Sequence, residues 1–200
     1  MLLWSAPDPA PNPRRVRLFL AAKGLTVAEK MLSLPAREHK SAEVLARNPR
    51  GQVPFLELDD GQVISEAISI CRYLDELHPN PPMIGSTPFE RAETDMWLRR
   101  VETGLGVPVS LYWQHGHPLT ARLVAQIPDM AAAARTNALA MLAWFDAQLI
   151  GRQWLAQDRF TLADIALLTS VDFAGWIGLP LADEWTALRG WQERAAARLA

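Results

Sequence analysis

Apolar positions in the first 80 residues form short runs that are separated by segments of helical periodicity. Residues 2–4 make the first run, and residues 27–34 have the composition of a second strand. Residues 14–24 repeat apolar side chains at helical spacing, and residues 41–46 predict a short helix. Because strands that alternate with helices are typical of layered α/β domains, we expect the chain to begin with a βαβα arrangement.

The first helix has a sequence signal at each end. Asn12 suits the N-cap, Pro13 suits the first helical position, and Gly24 suits the position after the last turn. A proline-rich turn over residues 7–13 precedes the helix and restricts its backbone. The unpaired N–H groups at a helix start favour an anion or a thiolate. Asn12 is therefore interpreted as a cap, as a group facing such a ligand, or as both.

A hairpin and a third helix follow. Residues 54–58 and 63–64 are apolar runs that flank Asp59-Asp60-Gly61, a turn sequence that tolerates positive φ. The sheet is therefore predicted to be mixed. Periodic apolar residues over 67–77 predict a helix that ends before His78-Pro79, and the prolines that follow predict a domain boundary.

The chain after residue 87 has no strand pattern and is rich in Ala, Leu, Arg and Trp at helical spacing. We expect this half to be entirely helical. Thr161 and Asp164 predict a capping box at the start of a strongly apolar helix. Seven of the eight tryptophans lie in this half: Trp97, Trp113, Trp144, Trp154, Trp176, Trp185 and Trp191.

Composition and charge restrict the class of ligand. Half of the 200 residues are hydrophobic, and 20 basic against 22 acidic side chains give a formal charge of −2, which provides no basic surface for nucleic acid or an anionic membrane. No apolar run approaches the ~18 residues of a membrane span. The single cysteine, Cys71, excludes an internal disulfide and a Cys-rich metal cluster. We expect a cytoplasmic protein with a small ligand.

Four local features are candidates for chemistry. Pro54 begins a strand after a turn, where a cis bond is tolerated; a cis bond would turn the backbone of Val53 outward as an edge for a peptide-like ligand. Glu66 precedes a helix, where the dipole favours a carboxylate with or without a ligand. His115 and His117 lack the further ligands that a metal site needs, so we expect a loop and no metal. Cys71 lies on an apolar helix face and is interpreted as a packing residue.

Taken together, several segments resemble the cytosolic glutathione transferase superfamily over essentially the whole chain. Residues 10–24 look like the family's first helix with its active-site turn, and residues 160–165 look like the capping box of the central helix in its C-terminal domain. The segments 38–41, 48–54 and 60–70 look like its glutathione-site segments. The resemblance implies a thioredoxin-like domain over about residues 1–78 and an all-α domain over about 88–200. It also implies a homodimer that takes glutathione as co-substrate and source of the thiol.

Site residues are carried over from this resemblance by position. Val53 would hold the cysteinyl backbone of glutathione with Pro54 in cis, and His39 and Lys40 would face the glycyl carboxylate. Glu66 would bind the γ-glutamyl amino group. The glutathione-binding set is His39, Lys40, Gln52, Val53, Pro54, Glu66 and Ala67.

Two positions depart from the family pattern. Ala10 stands where many relatives have a catalytic serine, and Ala67 replaces the hydroxyl residue that usually follows the acidic one. Asn12 is then the leading candidate for the thiol-facing catalytic residue, with Ser5 second. An amide donor stabilises a thiolate by hydrogen bonding without ionising itself.

The leading hypothesis is an enzyme of bacterial type that activates glutathione for nucleophilic attack on an electrophile, in the manner of a detoxification transferase. The alternatives are glutathione-dependent reduction of disulfides or peroxides, and a non-catalytic binding module, which Ala10 and Ala67 would favour. Maleylacetoacetate isomerisation is disfavoured because a Ser-Ser-Cys run is absent at residues 10–12. The candidate electrophile-site residues are Trp97, Val101, Leu105, Tyr112 and Trp113.

Overall fold

The computed structural model describes residues 1–199 and divides into two compact units, residues 1–83 and 84–198. In the first unit, strands alternate with helices along the chain. These elements are β1 (Leu2–Ser5), α1 (Pro11–Lys23), β2 (Ala28–Met31), α2 (Ala42–Arg47), β3 (Phe55–Glu57), β4 (Val63–Ser65) and α3 (Ala67–Leu77). The strand order is β2-β1-β3-β4, with β1 and β2 parallel and the other pairs antiparallel. The predicted mixed four-stranded sheet is confirmed.

One face of this sheet is built around Trp4. Its ring stacks on Phe55 of the neighbouring strand with centroids 5.1 Å apart, and Leu32 and Val44 complete the buried cluster. The indole N–H of Trp4 donates to Glu57 at 2.9 Å, so its polar atom is satisfied. Because β1 pairs with β3 from Leu2 to Trp4, this packing holds the chain before β3 next to the end of β1.

All regular secondary structure in the described residues of the second unit is helical, as predicted. It contains α4 (Pro88–Arg99), α5 (Val107–Gly116), α6 (Pro128–Leu149), α7 (Leu162–Trp176) and α8 (Thr186–Arg198), with a π-helical segment, Arg100–Gly106, between α4 and α5. No helix within residues 1–199 has both the length and the apolar character needed to cross a bilayer.

The predicted capping box lies at the start of α7. The Thr161 N–H donates to the Asp164 carboxylate at 3.0 Å, and the N–H of Leu155 and the indole N–H of Trp191 donate to its other oxygen at 2.8 and 3.0 Å. Burial raises the pKa of Asp164 to about 6, although these donors favour its charged form. The Asp164 carboxylate therefore joins the cap of α7 to the preceding loop and to α8.

Three of the five candidate electrophile-site residues lie in the interior of this unit. Trp97 is 2% exposed, and Val101 and Leu105 are 0% exposed. Their assignment to a substrate surface is wrong in this structure, because side chains without accessible surface pack the helix interior instead. Tyr112 and Trp113 are half-buried.

Candidate functional site

A cleft of about 380 Å³ opens in the first unit, where the start of α1, the loop before β3 and the start of α3 meet. We name it the Val53 cleft. It is lined by Asn12, Leu34, His39, Asn48, Arg50, Gln52, Val53, Pro54, Ser65, Glu66 and Ala67. Sequence segments separated by more than 50 residues thus meet at one surface, and seven of the eight glutathione-site and catalytic candidates of the sequence lie there.

The start of α1 brings one unpaired backbone donor to this cleft. The helix begins at Pro11 with Ala10 as N-cap and no side-chain cap, so the prediction of Asn12 as N-cap is wrong. Pro11 lacks an N–H and has a fixed φ, so it takes the first helical position ahead of Pro13. The Arg14 N–H donates to Ala10, and neither proline has a donor. Among the described residues nothing accepts from the Asn12 N–H, which leaves both the backbone and the side chain of Asn12 available to a ligand.

The loop before β3 is held by Asn48. Its side-chain amide donates to the Gln52 carbonyl at 2.8 Å, and its carbonyl oxygens accept from the N–H groups of Arg50 and Gly51. Gly51 has φ 55°, and a Cβ there would lie 2.8 Å from the His39 carbonyl oxygen. Glycine is therefore required for the close approach that shapes this side of the cleft.

Val53 follows this loop and presents its backbone to the cleft. The Val53–Pro54 bond is cis, as the family resemblance implied. No described residue makes a hydrogen bond with the N–H or the carbonyl of Val53. A backbone edge with both groups unpaired is the type of surface with which an extended peptide-like ligand pairs.

The start of α3 supplies the acidic side of the cleft. Glu66 is the N-cap residue, without a side-chain cap bond, and its backbone has φ 69° and ψ 119°. A non-glycine residue in this region costs about 1–3 kcal/mol, and such strain is concentrated at binding sites. No described group pairs with the Glu66 carboxylate. The first N–H groups of α3, beginning with Ala67, have no acceptor within the helix, and Ala67 itself lines the cleft. A carboxylate beside unpaired N–H donors suits a ligand that carries an ammonium and a carboxylate together.

The basic side of the cleft differs from the sequence prediction. Arg50 lines the cleft, and its Nε donates to Gln52 at 2.9 Å. Lys40 does not line it, because its ammonium donates to the Arg50 carbonyl at 2.9 Å and thereby supports the loop. His39 does line it, with Nδ1 buried and without a hydrogen-bond partner in residues 1–199. Burial and the neighbouring Lys40 and Arg37 lower the pKa of His39, so its imidazole is neutral at pH 7 and Arg50 is the cation.

Sequence reasoning did not single out Asn48 and Arg50 as lining residues of the cleft, and the candidate Ser5 lies outside the cleft. Arg50 and Asn48 belong to the segment 48–54 that resembled a known site, but nothing in the pattern separated them from ordinary loop residues. Ser5 is 0% exposed, and its hydroxyl accepts from Arg17, so Ser5 does not face the cleft. Cys71 is buried, and burial raises the pKa of its thiol, which makes it a poor nucleophile.

Comparisons with known proteins show the family of the chain. The family model of the glutathione S-transferase N-terminal domain matches residues 10–77, and that of the C-terminal domain matches residues 111–198. The chain is 37% identical over 202 residues to glutathione S-transferase 2 of Saccharomyces cerevisiae, covering 99% of this chain and 86% of that protein.

Solved structures show the same similarity along the whole chain. Gtt2 from Saccharomyces cerevisiae superposes with a TM-score of 0.90 at 34% identity, and the match covers 100% of both chains. A glutathione S-transferase domain-containing protein from Marinobacter aquaeolei superposes with a TM-score of 0.91 at 34% identity, covering 99% of this chain and 98% of that chain.

Proposed function

Because the chain belongs to the glutathione S-transferase family, we propose that it binds glutathione in the Val53 cleft and directs the thiolate of this peptide at an electrophile. One observation carries the proposal. The unpaired backbone of Val53 lies in the same cleft as the unpaired Glu66 carboxylate and the first N–H groups of α3. Glutathione has a matching order of groups, with an α-amino acid at one end and a peptide backbone behind it.

We assign the γ-glutamyl end to the start of α3. The Glu66 carboxylate takes the ammonium, and the N–H groups beginning at Ala67 take the carboxylate. Ser65 precedes them in the lining and adds a hydroxyl that the sequence prediction did not include. The backbone of Val53 pairs with the cysteinyl residue, and Pro54 and Gln52 flank it.

The glycyl carboxylate is assigned to Arg50 and His39. Arg50 carries a planar guanidinium, and its Nη groups make no hydrogen bond within residues 1–199. His39 contributes a neutral ring, because burial lowers its pKa. Lys40 supports the loop through Arg50 instead of binding the ligand directly.

Asn12 is assigned to the sulfur. Glutathione supplies the nucleophilic thiol when it is bound. The backbone N–H and the side-chain amide of Asn12 stabilise the negative charge, and the positive end of the α1 dipole adds to this effect. Hydrogen bonds to the charged form lower a pKa, so the thiol would lose its proton nearer to neutral pH.

Two partially exposed aromatic residues of the second unit, Tyr112 and Trp113, remain candidates for contact with the electrophile. The similarity to this family also supports a homodimer, a cytoplasmic location and a role in detoxification as parts of the proposal. Light scattering tests whether the protein is a homodimer.

Calorimetry with glutathione, followed by turnover assays, tests the proposal. The assay panel contains an activated aryl halide, an α,β-unsaturated carbonyl compound, a disulfide and a peroxide. We expect saturable binding of glutathione and conjugation of at least one of the first two. Binding with turnover of only the disulfide or the peroxide would indicate a reductase, and binding without any turnover would indicate a non-catalytic module. Absence of binding would contradict the proposal.

A further inference from the structure

Arg17 connects the start of α1 to the end of β1. It lies on α1, and its guanidinium reaches back over the turn that precedes the helix. Its Nη1 donates to the Ser5 hydroxyl at 3.0 Å and to the Ala6 carbonyl at 2.7 Å, while its Nη2 donates to the Asp8 carboxylate. One side chain thus holds the last residue of β1 and two positions between β1 and α1.

The bonds to Ser5 and Ala6 are partly buried, whereas the bond to Asp8 is exposed, because the Asp8 side chain is 61% exposed. Ser5 and Ala6 are 0% exposed, and the Arg17 side chain is 21% exposed. Hydrogen bonds to a charged donor in such partly buried positions are stronger than exposed ion pairs. A planar guanidinium offers several donors in fixed directions, whereas a lysine ammonium is a single flexible centre.

The start of α1 has no side-chain cap of its own. The N-cap residue of α1, Ala10, has no side-chain hydrogen bond, so the first turn lacks the usual local anchor. Arg14 also approaches Asp8, with its Nε 3.5 Å from the second carboxylate oxygen. The bonds from Arg17 to Ser5 and Ala6 therefore join α1 directly to the end of β1.

The position of the first turn relative to β1 matters because both halves of the sulfur site depend on it. Asn12 lies in the first turn of α1, and Val53 immediately precedes the strand that pairs with β1. By joining α1 to the end of β1, Arg17 sets the separation between the Asn12 N–H and the Val53 backbone. Stabilisation of an oxyanion or thiolate by fixed donors depends on such preorganisation.

We propose that Arg17 is a positioning residue for thiol activation, an inference that rests on the proposed function. It does not contact glutathione; it holds the Asn12 donors where the sulfur is bound. Loss of Arg17 should therefore raise the thiol pKa of bound glutathione and lower kcat. Binding of glutathione should change little, since the Glu66 and Arg50 ends of the cleft do not involve the turn.

The test compares Arg17→Met and Arg17→Lys with a matched control, Arg47→Met. Arg47 is also a partly exposed arginine of the first unit; it stacks on Trp4 and pairs with Glu57, away from the turn. Each variant is measured for its glutathione Kd, the thiolate absorbance of bound glutathione against pH, kcat for the best electrophile, and thermal stability.

We expect Arg17→Met to lower kcat about tenfold at neutral pH with Kd within about twofold of wild type. A misplacement of about 1 Å costs about 100-fold, and we expect a smaller shift here. Arg17→Lys should recover part of the loss through its contact with Asp8. Arg47→Met should lose stability while keeping the thiolate titration and kcat of the wild type.

Four results would overturn the inference. One is a folded Arg17→Met variant with an unchanged titration and kcat, and another is an equal shift in Arg47→Met. If Arg17→Met does not fold, the test uses Arg17→Lys. If the thiol of glutathione bound to Arg17→Lys titrates as in wild type, the inference is contradicted. A wild-type protein whose bound glutathione keeps an ordinary thiol pKa would contradict the proposed thiol activation itself, and this inference with it.

Discussion

Replacing Glu66 by glycine should separate binding from stability, because this residue is assigned to the ligand and also has a strained backbone. Glu66 has φ 69° and ψ 119° at the start of α3, a conformation that glycine adopts without steric cost. Its carboxylate has no partner among the described residues. Glu66→Gly therefore removes strain and the proposed ammonium partner, whereas Glu66→Gln removes only the charge.

The magnitudes follow from these two features. Relief of strain contributes about 1–3 kcal/mol, and the greater freedom of glycine in the unfolded chain costs about 0.5–1 kcal/mol, so we expect a net gain of about 1 kcal/mol in the free energy of unfolding. Loss of a charged hydrogen bond of about 1–2 kcal/mol should weaken glutathione about 5- to 30-fold in both variants.

Urea denaturation without ligand measures the stability, and calorimetry measures the Kd. Glu66→Gln should have the same stability as wild type. Its Kd for glutathione should equal that of Glu66→Gly. A glutathione analogue that lacks the α-amino group should bind wild type and Glu66→Gln with similar affinity. The contact that the substitution removes is already absent with this analogue, so the effects of the two changes do not add. A Glu66→Gly protein less stable than wild type would refute the strain argument. Simple additivity with the analogue would show that Glu66 acts only on the helix dipole.

Three further changes test neighbouring parts of the account. Cys71→Ala should cost about 1–2 kcal/mol of stability and leave turnover per folded molecule unchanged, because a buried thiol of raised pKa takes no part in the chemistry; a folded variant without activity would exclude an external thiol. Ala67→Ser should tighten glutathione binding about 3- to 10-fold by adding a donor at the start of α3, and calorimetry at fixed pH that shows no gain would argue against that contact. Glu90 accepts hydrogen bonds from Arg159 and from the Ser86 N–H, and these lower the pKa of Glu90 to about 2. Its contribution to stability is therefore present above the ordinary pKa of about 4.5 and is lost as the pH falls toward 2. Glu90→Gln should remove that part of the acid unfolding curve. An unchanged curve would show that the pair does not stabilise the folded state.

Sequence reasoning was most accurate where local signals agreed. The helix predicted over 67–77 has the same limits in α3, because periodic apolar residues and His78-Pro79 mark the same end. Gly24 ends α1 in a left-handed conformation with φ 65°, as its type predicts. The capping box of Thr161 and Asp164 is likewise confirmed, since its spacing is a local property.

The errors arose where two signals competed or where tertiary contacts decided. Pro11 and Pro13 both suit a first helical position, and the earlier one prevailed, which moved Asn12 inside the helix. Lys40 and Arg50 are both loop cations, and only the folded loop shows which of them lines the cleft. Trp97 was assigned to a substrate surface, although a large aromatic residue at helical spacing is equally suited to a helix interior. The role of Arg17 had no local signal, because its partners Ser5, Ala6 and Asp8 lie 9 to 12 residues earlier in the chain.

The most direct test of thiol activation in the Val53 cleft is the ultraviolet titration of bound glutathione, in wild type and in Asn12→Ala. An ordinary cysteine thiol has a pKa of about 8.5, and we predict that the bound thiol titrates at least about one pH unit lower in wild type. Asn12 makes no side-chain cap bond, so the variant should remain folded while its bound thiol titrates closer to the ordinary value. If glutathione binds and its thiol titrates in wild type as it does in free solution, the central claim is contradicted.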